Sequence, residues 1–404
     1  YSKEVGILLG LEYVCKLYDI SYLNLANKLE VTSQQINDWI KLRRRIPQHH
    51  LENASKILGI PSAYLEKELD DIDRIRIQEI KIKREKERYF SMTKGQKRVC
   101  IINYKGGVGK TTLALNLAAG LSTKGKVLLI DVDHQANLSR ACLKSKEFTE
   151  DNSVAAIFKS YINRTQMPDT QIIEKAPLKR FKNLDILPSI EELDEFEFDL
   201  ASTAHADDFH DWDKKTLICK WIDDNNLESE YDYIVFDCPP ATMNITQNAL
   251  AASHFYIVPL IPSELSLRGL NHLIHMIDNK IYSKLLAYKQ MLEIGIQNGL
   301  YKNCIYKSFV GHIELKAAVL SMVQVAPNTY NRYGCTDVHQ RGIDQLKQWE
   351  KSMDGLKGKV LYDHIVYKRT DIENAMGLGM PAYNTEYDNQ GEITELVDYI
   401  AKIL

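Results

Sequence analysis

The chain has 404 residues, 45% hydrophobic and 26% charged, with a formal net charge of −3, which is material for a sizeable core and two folded units. That balance excludes a globally basic nucleic-acid binder, so any DNA contact has to come from local patches. The seven cysteines (Cys15, Cys100, Cys142, Cys219, Cys238, Cys304 and Cys335) form no C-x-x-C pair, which argues against a zinc or cysteine-ligated cluster site and for reduced thiols in a cytoplasmic protein.

No apolar run approaches the ~18 residues that a membrane span needs, and no signal peptide is visible. The chain opens at Tyr1 rather than Met, so residues before it are expected.

Residues 1–69 read as a compact set of short helices. Ser21 suits an N-cap, Ala26 and Leu29 share one helical face, and the pattern breaks from Glu30 to Ser33. Ile36, Trp39 and Ile40 then line the inner face of a second helix, which completes a helix-turn-helix. With Arg43, Arg44, Arg45, Ile46 and Pro47, and then Leu51, Ala54, Ile57, Leu58 and Ile60, the stretch resembles the Cro and lambda-repressor class of DNA-binding domain. Glu30 stands where that class often has Gly or Asn. The resemblance implies a second helix in a major groove, with Gln34, Gln35 and Asn37 facing base edges and Lys41, Arg43, Arg44 and Arg45 on phosphates. The same residues also suit a small protein-interaction domain whose Arg-rich loop is solvated.

Residues 70–97 mix both charges with Ile72, Ile75, Ile77, Ile80 and Ile82. They predict a helical connector or a dimerisation helix, with the domain boundary between Ser91 and Gln96. Residues 98–404 are then expected to form one α/β domain.

That domain opens on its most informative stretch, Val99 to Thr112. A short apolar run leads into Lys105-Gly106-Gly107-Val108-Gly109-Lys110-Thr111-Thr112, followed by the helix-forming Leu113 to Ala119. This is strand, phosphate loop, helix. Glycines let backbone N–H groups turn onto phosphates, and the helix N-terminus adds its dipole. Lys110 is expected on the β- and γ-phosphates and Thr111 on Mg²⁺. Because Tyr104 replaces the usual first glycine and Lys105 adds an early lysine, the loop resembles that of the ParA/MinD family of P-loop ATPases, K-G-G-x-G-K-[ST]. The resemblance implies ATP and Mg²⁺ as ligands, a nucleotide contacted by residues 105–112, and a Lys105 that crosses a dimer interface to the partner subunit's phosphates.

Downstream, Lys126 to Ile130 reads as a buried strand ending in Asp131, Val132 and Asp133, at the carboxyl edge where an open α/β sheet holds ligands. The family's version is D-x-D-P-Q-[GA]-N, with His134 here in place of proline. By that match Asp133 orients or activates the attacking water and Asp131 belongs to the nucleotide site, while His134 is expected only to cap a turn. Leu184 to Ser189 predicts a further strand, and the acidic, aromatic stretch 191–213 reads as surface helix and loop. Tyr231 to Asp237 predicts another buried strand, whose terminal Asp237 would hold the Mg²⁺ water shell. The following Cys238-Pro239-Pro240 again resembles the ParA branch, with Cys238 expected as a packed small residue.

Phe255 to Ser263 predicts a strand followed by a helix through Leu267, Leu270 and Leu273, and Ala318 to Val325 a further strand. Ser321 stands where the family often has an asparagine near the adenine. Lys359 to Tyr362 and Ile365 to Ala375 resemble the last strand and the basic turn before the closing helices. In ParA-type proteins basic residues there bind DNA without sequence preference, a role carried to Lys368, Arg369 and Arg332; a merely solvated face is the alternative. The final helix, Glu392 to Leu404, is amphipathic but acidic, which disfavours a membrane surface.

The expected fold is therefore α/β, a mostly parallel sheet P-loop NTPase domain preceded by a small all-α helix-turn-helix domain. The expected protein is a plasmid-type DNA partition ATPase, cytoplasmic and nucleoid-associated. It would form a homodimer on ATP, bind DNA non-specifically, respond to a centromere-binding ParB-like partner and repress its own operon. A nucleotide-responsive transcription regulator that moves no cargo is the alternative; a MinD-like membrane positioner and a bacterial tyrosine kinase fit the tail less well.

Overall fold

A computed structural model describes residues 9–404 apart from 19, 93–94, 145, 204–209, 303, 327–332 and 354, and gives only the backbone of 82–92, 210 and 265. The chain forms two compact units that part between Lys94 and Gly95.

The small unit is helical: α1 (Gly10–Leu17), α2 (Tyr22–Leu29), α3 (Ser33–Ile40), α4 (Gln48–Leu58), α5 (Ser62–Leu65) and α6 (Asp71–Met92). The Ser21 hydroxyl caps α2 by accepting from Asn24 N. Glu30 ends that helix at φ 55°, the left-handed conformation that glycine usually supplies, and Thr32 starts α3 with a reciprocal capping box to Gln35. Leu25, Ala26, Leu29, Ile36, Trp39 and Ile40 are all buried, so the two helices share one core as their spacing predicts. The stretch 70–97 is not a free connector. Asp70 and Asp73 cap each other's backbone N–H, Ile77 is fully buried in the small unit's core, and Lys81 Nζ reaches Leu17 O at 2.9 Å. The face Asp73, Ile77, Ile80 makes α6 the last helix of the small unit, while Ile72 and Ile75 on its other side are exposed.

In the large unit eight strands among the described residues form one sheet: β1 (Lys97–Ile101), β2 (Val127–Asp131), β3 (Glu174–Lys175), β4 (Leu184–Leu187), β5 (Tyr233–Asp237), β6 (Phe255–Leu260), β7 (Glu314–Leu320) and β8 (Val360–Leu361). Their order is β3-β4-β2-β5-β1-β6-β7-β8, and every pairing is parallel except β3 with β4. Strands covered on both faces have no polar side to show, which is why β2, β5 and β6, and β1 from Val99 on, read as apolar runs. β1 is central, and the crevice at its carboxyl end is where such a sheet places a ligand.

The helices around the sheet are α7 (Lys110–Leu121), α8 (Asn137–Cys142), α9 (Ala155–Ile162), α10 (Leu193–Ser202), α11 (His210–Asp224), α12 (Leu227–Glu230), α13 (Asn244–Ala251), α14 (Glu264–His275), α15 (Ser283–Gln297), α16 (Asp337–Ser352), α17 (Thr370–Leu378) and α18 (Glu392–Ile403). The acidic stretch 191–213 is not simply surface. Leu193, Phe196 and Leu200 of α10 and Trp212 of α11 are buried, and the Glu197 carboxylate accepts from the N–H groups of Asn244 and Ile245 at the start of α13. Phe198, also on α10, is exposed instead. The strand expected from Ala318 ends at Leu320, because Ser321 turns out of the sheet to donate to Val108 O at 2.7 Å and Met322 takes φ 54°. No described helix is long and apolar enough to cross a membrane.

Candidate active site

The phosphate loop is set by two left-handed glycines, Gly107 at φ 69° and Gly109 at φ 83°, the second capping α7. Asn103, which sequence reasoning passed over, braces it: its side chain donates to Pro259 O at 2.8 Å and accepts from Lys105 N at 3.0 Å. Nothing in a lone asparagine between strand and loop announces that role.

A cavity of about 600 Å³ opens above the strand ends. Gly106, Gly107, Gly109, Lys110, Thr111, Thr112 and Asp133, all singled out in the sequence, line it. Lys110 is buried, and desolvation pulls its pKa below the usual lysine range against the pull of the Asp237 and Asp133 charges. Its Nζ meanwhile donates to Lys105 O at 3.1 Å.

Asp131 and Asp237 are register partners on β2 and β5, both fully buried. Burial raises both, and nearby negative charge adds to it, from Asp133 on Asp131 and from Asp131 on Asp237; Asp131 is pushed up to about 7 despite accepting from Ser139 N, Ser139 Oγ and Asp133 N. Both its oxygens are so engaged, and Asp131 lies behind the cavity lining, where it holds the turn to Asp133. Asp237 also lies behind the lining, bonded to Thr111; among the described residues its buried Oδ1 has no hydrogen-bond partner. An unpaired carboxylate oxygen beside a threonine hydroxyl is a hard-cation donor set and fits Mg²⁺. No cluster of three or more His, Cys, Asp or Glu exists among the described residues, so such a cation would take its remaining ligands from phosphate and water.

Asp133 Oδ1 accepts from Gln135 N at 3.0 Å, with His134 Nδ1 3.8 Å away; it is the aspartate, more than the histidine, that caps the turn. Val108 is buried and Lys105 exposed, and neither lines the cavity. Within the single chain Lys105 Nζ rests on Ser266 Oγ of α14 at 3.2 Å. Cys238 is fully buried with its sulfur 3.6 Å from that of Cys100, a packed residue as expected.

The far wall of the cavity was largely invisible in the sequence. It comprises Val366, Tyr367, Ile372 and Met376, with Ile393 and Leu396 of α18. Arg369 and Glu373 also belong to it. Arg369 is therefore not the exposed basic group that the sequence suggested. Its side chain is 30% exposed, and its Nε donates to Glu392 at 2.9 Å. Lys368, 51% exposed and 3.8 Å from Glu373, keeps a solvent-facing position; Arg332 lies outside the described residues.

In the small unit Gln34 is exposed and bonded to Asp38, Asn37 is half-buried, and Lys41 and Arg43 are exposed, Arg43 lying 3.5 Å from Asp38. Gln35 is not presented as expected: its amide oxygen accepts from Thr32 N at 2.8 Å, so the capping box consumes it.

The AAA domain family AAA_31 matches residues 96–294. The chromosome partitioning protein ParA of Myxococcus xanthus is 34% identical over 181 residues, 45% of this chain and 57% of that protein. The sporulation initiation inhibitor Soj of Bacillus subtilis is 30% identical over 198 residues, 49% of this chain and 70% of that protein. An ATP complex of McdA from Cyanothece superposes with a TM-score of 0.54 at 18% identity, covering 77% of this chain and 98% of that one, a likeness of fold. The parallel sheet, the two-lysine loop and the carboxylates at the neighbouring strand ends define a P-loop nucleotide-binding protein. With the Soj and AAA_31 matches, the chain belongs to the ParA, Soj and MinD family of P-loop ATPases.

Proposed function

We propose that the large unit is a Mg²⁺-dependent ATPase of the DNA-partition type, which dimerises on ATP, binds DNA without sequence preference and releases it on hydrolysis. The observation that carries this reading is that Gly106, Gly107, Gly109, Lys110, Thr111, Thr112 and Asp133 line one cavity, with Asp237 bonded to Thr111 behind it. Backbone N–H groups of the loop and Lys110 bind the triphosphate; Thr111 and Asp237 would hold Mg²⁺, which supplies charge neutralisation on the β- and γ-oxygens. Asp133, anchored through its backbone to Asp131, orients the attacking water. Lys105 swings from Ser266 to the twin subunit's phosphates, so two chains complete each other's sites.

Dimerisation on ATP doubles the basic residues facing DNA, Lys368 among them. Non-specific affinity of order 10⁻⁴ to 10⁻⁶ M rises steeply with each added phosphate contact. A ParB-like centromere-binding partner would accelerate hydrolysis. The small unit would read an operator through Gln34, Asn37, Lys41 and Arg43 and repress the chain's own operon; the N-caps and the shared core of α2 and α3 support that helix-turn-helix reading.

Sedimentation of the chain with ATP and Mg²⁺, with and without random-sequence DNA, tests the core of this. An ATP-dependent dimer that shifts random DNA is expected, and a chain that binds no nucleotide overturns the reading. Sequence-specific operator binding with no ATP-dependent coating of random DNA would instead favour a nucleotide-responsive regulator.

A further inference from the structure

Lys105 is the residue of the phosphate loop whose task, in the reading above, lies outside its own subunit, so its aim depends on how its backbone is held. The chain after it gives little hold: Gly106 and Gly107 carry no side chain, Gly107 takes φ 69°, and a Cβ added at either would meet nothing within 4 Å. Lys110 Nζ donates to Lys105 O at 3.1 Å, a contact that ends once that ammonium turns to a triphosphate. The lasting hold therefore comes from the residues before Lys105. Asn103 accepts from Lys105 N at 3.0 Å, and Tyr104 reaches further. Its hydroxyl lies 3.3 Å from Thr242 Oγ1, and its ring leans on the His272 imidazole of α14 with the centroids 5.6 Å apart. A glycine at position 104 could touch neither.

Thr242 belongs to the loop that leaves β5 at Asp237. Cys238 N donates to Ile101 O at 3.2 Å at the start of that loop, Pro240 lines the cavity, and Gln247 Nε2 of α13 donates to Thr242 O at 2.9 Å at its end. One pair of hydroxyls thus joins the residue before Lys105 to a cavity wall built 138 residues further on. Resting on the dimer reading above, we propose that Tyr104 is a positioning residue for Lys105: its bond to Thr242 makes the aim of the early lysine depend on the loop after Asp237 being seated against the phosphate loop. With that loop seated, Lys105 is mounted from two sides and its long side chain crosses to the twin subunit from a fixed base. With the loop displaced, the base swings and the orientation needed in the joint site is lost. Affinity for the nucleotide within one subunit is set by the backbone N–H groups of Gly106 to Thr111 and by Lys110, not by the Tyr104 hydroxyl.

The test separates dimerisation from binding on the full chain, by sedimentation with ATP and Mg²⁺, steady-state hydrolysis, and titration of a fluorescent ATP analogue at a concentration where the chain is monomeric. Tyr104→Phe keeps the ring and removes the hydroxyl. It is expected to lower both the ATP-dependent dimer affinity and kcat by about fivefold, with analogue binding unchanged. Thr242→Val should do the same, and Thr242→Ser, which keeps the hydroxyl, should stay near wild type. The double variant Tyr104→Phe with Thr242→Val should be no worse than either single one, because all three lack the same bond. In a Lys105→Ala background Tyr104→Phe should change nothing further, which marks a residue that acts through Lys105. Dimerisation and kcat unchanged or raised in Tyr104→Phe, a parallel fall in analogue binding, additive losses in the double variant, or an undiminished loss in the Lys105→Ala background overturns the proposal. A wild-type chain that binds ATP and remains monomeric would overturn the dimer reading itself, a different outcome.

Discussion

The two ends of the nucleotide cavity are built by opposite means. At the phosphate end a single run, Gly106 to Thr112, supplies backbone N–H groups, one buried ammonium and two hydroxyls. At the far end side chains arrive from separated segments, Val366 to Met376, and Ile393 with Leu396. A phosphate asks for many short donors close together, which only bare backbone provides, so the chemistry dictates glycine at fixed spacing. A base asks for a slot and a few directional groups, which many residue combinations can provide. The first end is under strict sequence constraint and the second is open to change without loss of the fold.

The largest effect should come from the strict end. Lys110→Ala removes the charge that faces the triphosphate and should lower ATP affinity by on the order of 100-fold, with tripolyphosphate falling in step. Retained affinity in a fluorescence titration would dissolve the distinction between the two ends, because the phosphate loop would then not be the anchor.

Next comes a break at the far wall that leaves the loop intact. Gly379 ends α17 at φ 70°, and a Cβ there would sit 1.9 Å from Ala141 O of α8. Gly379→Ala is expected to cost about 2–4 kcal/mol, from left-handed strain plus the displacement of α17. Thermal melting should show the loss. Tripolyphosphate binding of the folded fraction should survive while ATP loses affinity, and a parallel loss of both would mean that the two ends are mechanically one.

A third expectation concerns pH. In the nucleotide-free chain burial holds the Asp131–Asp237 pair protonated well above the ordinary carboxylate range, Asp131 to about 7. A folded-state pKa raised above the unfolded value gives stability that is present below pH ~4 and is lost as pH rises through about 7. Melting without Mg²⁺ should therefore fall in temperature across that window, and Asp131→Asn should flatten the fall. Added Mg²⁺ should stabilise more at pH 8 than at pH 5, since a cation on Asp237 competes with the proton that burial holds there. A melting profile equally steep in Asp131→Asn would remove the pair as its cause.

The same contrast explains what could be read from residues alone. Strands β1, β2, β5 and β6, the phosphate loop and the terminal aspartates were legible because buried parallel strands and phosphate cradles leave one-dimensional patterns. The pair α2 and α3 was legible from Ser21, the break at Glu30 and the spacing of Ile36 and Trp39. For Asp131, strand-end position says that a carboxylate lies near the crevice, and says nothing of the Ser139 and Asp133 N–H groups that engage its oxygens. Gln35 looked like a base-reading side chain although Thr32 three residues earlier held the capping-box signal that claims it. Arg369 was read as surface because its partner, Glu392, is 23 residues on, and no local pattern joins them.

That last residue gives the smallest and sharpest test. Lys368 and Arg369 are neighbours in sequence, yet one faces solvent and the other is tied into the cavity wall. If Lys368 lies on DNA phosphates in the ATP dimer, Lys368→Ala removes two contacts per dimer, one from each subunit. The slope of log affinity for random DNA against log salt should then become shallower by about 2, at roughly 0.9 per neutralised phosphate. Arg369→Met should leave that slope in place, because a guanidinium committed to Glu392 releases no counterion from DNA. Equal slopes for wild type and Lys368→Ala would strip the region of its DNA role. A shallower slope in Arg369→Met, measured with ATP saturating so that dimerisation is not limiting, would return the far wall of the cavity to the DNA-binding face and erase the separation between its two uses.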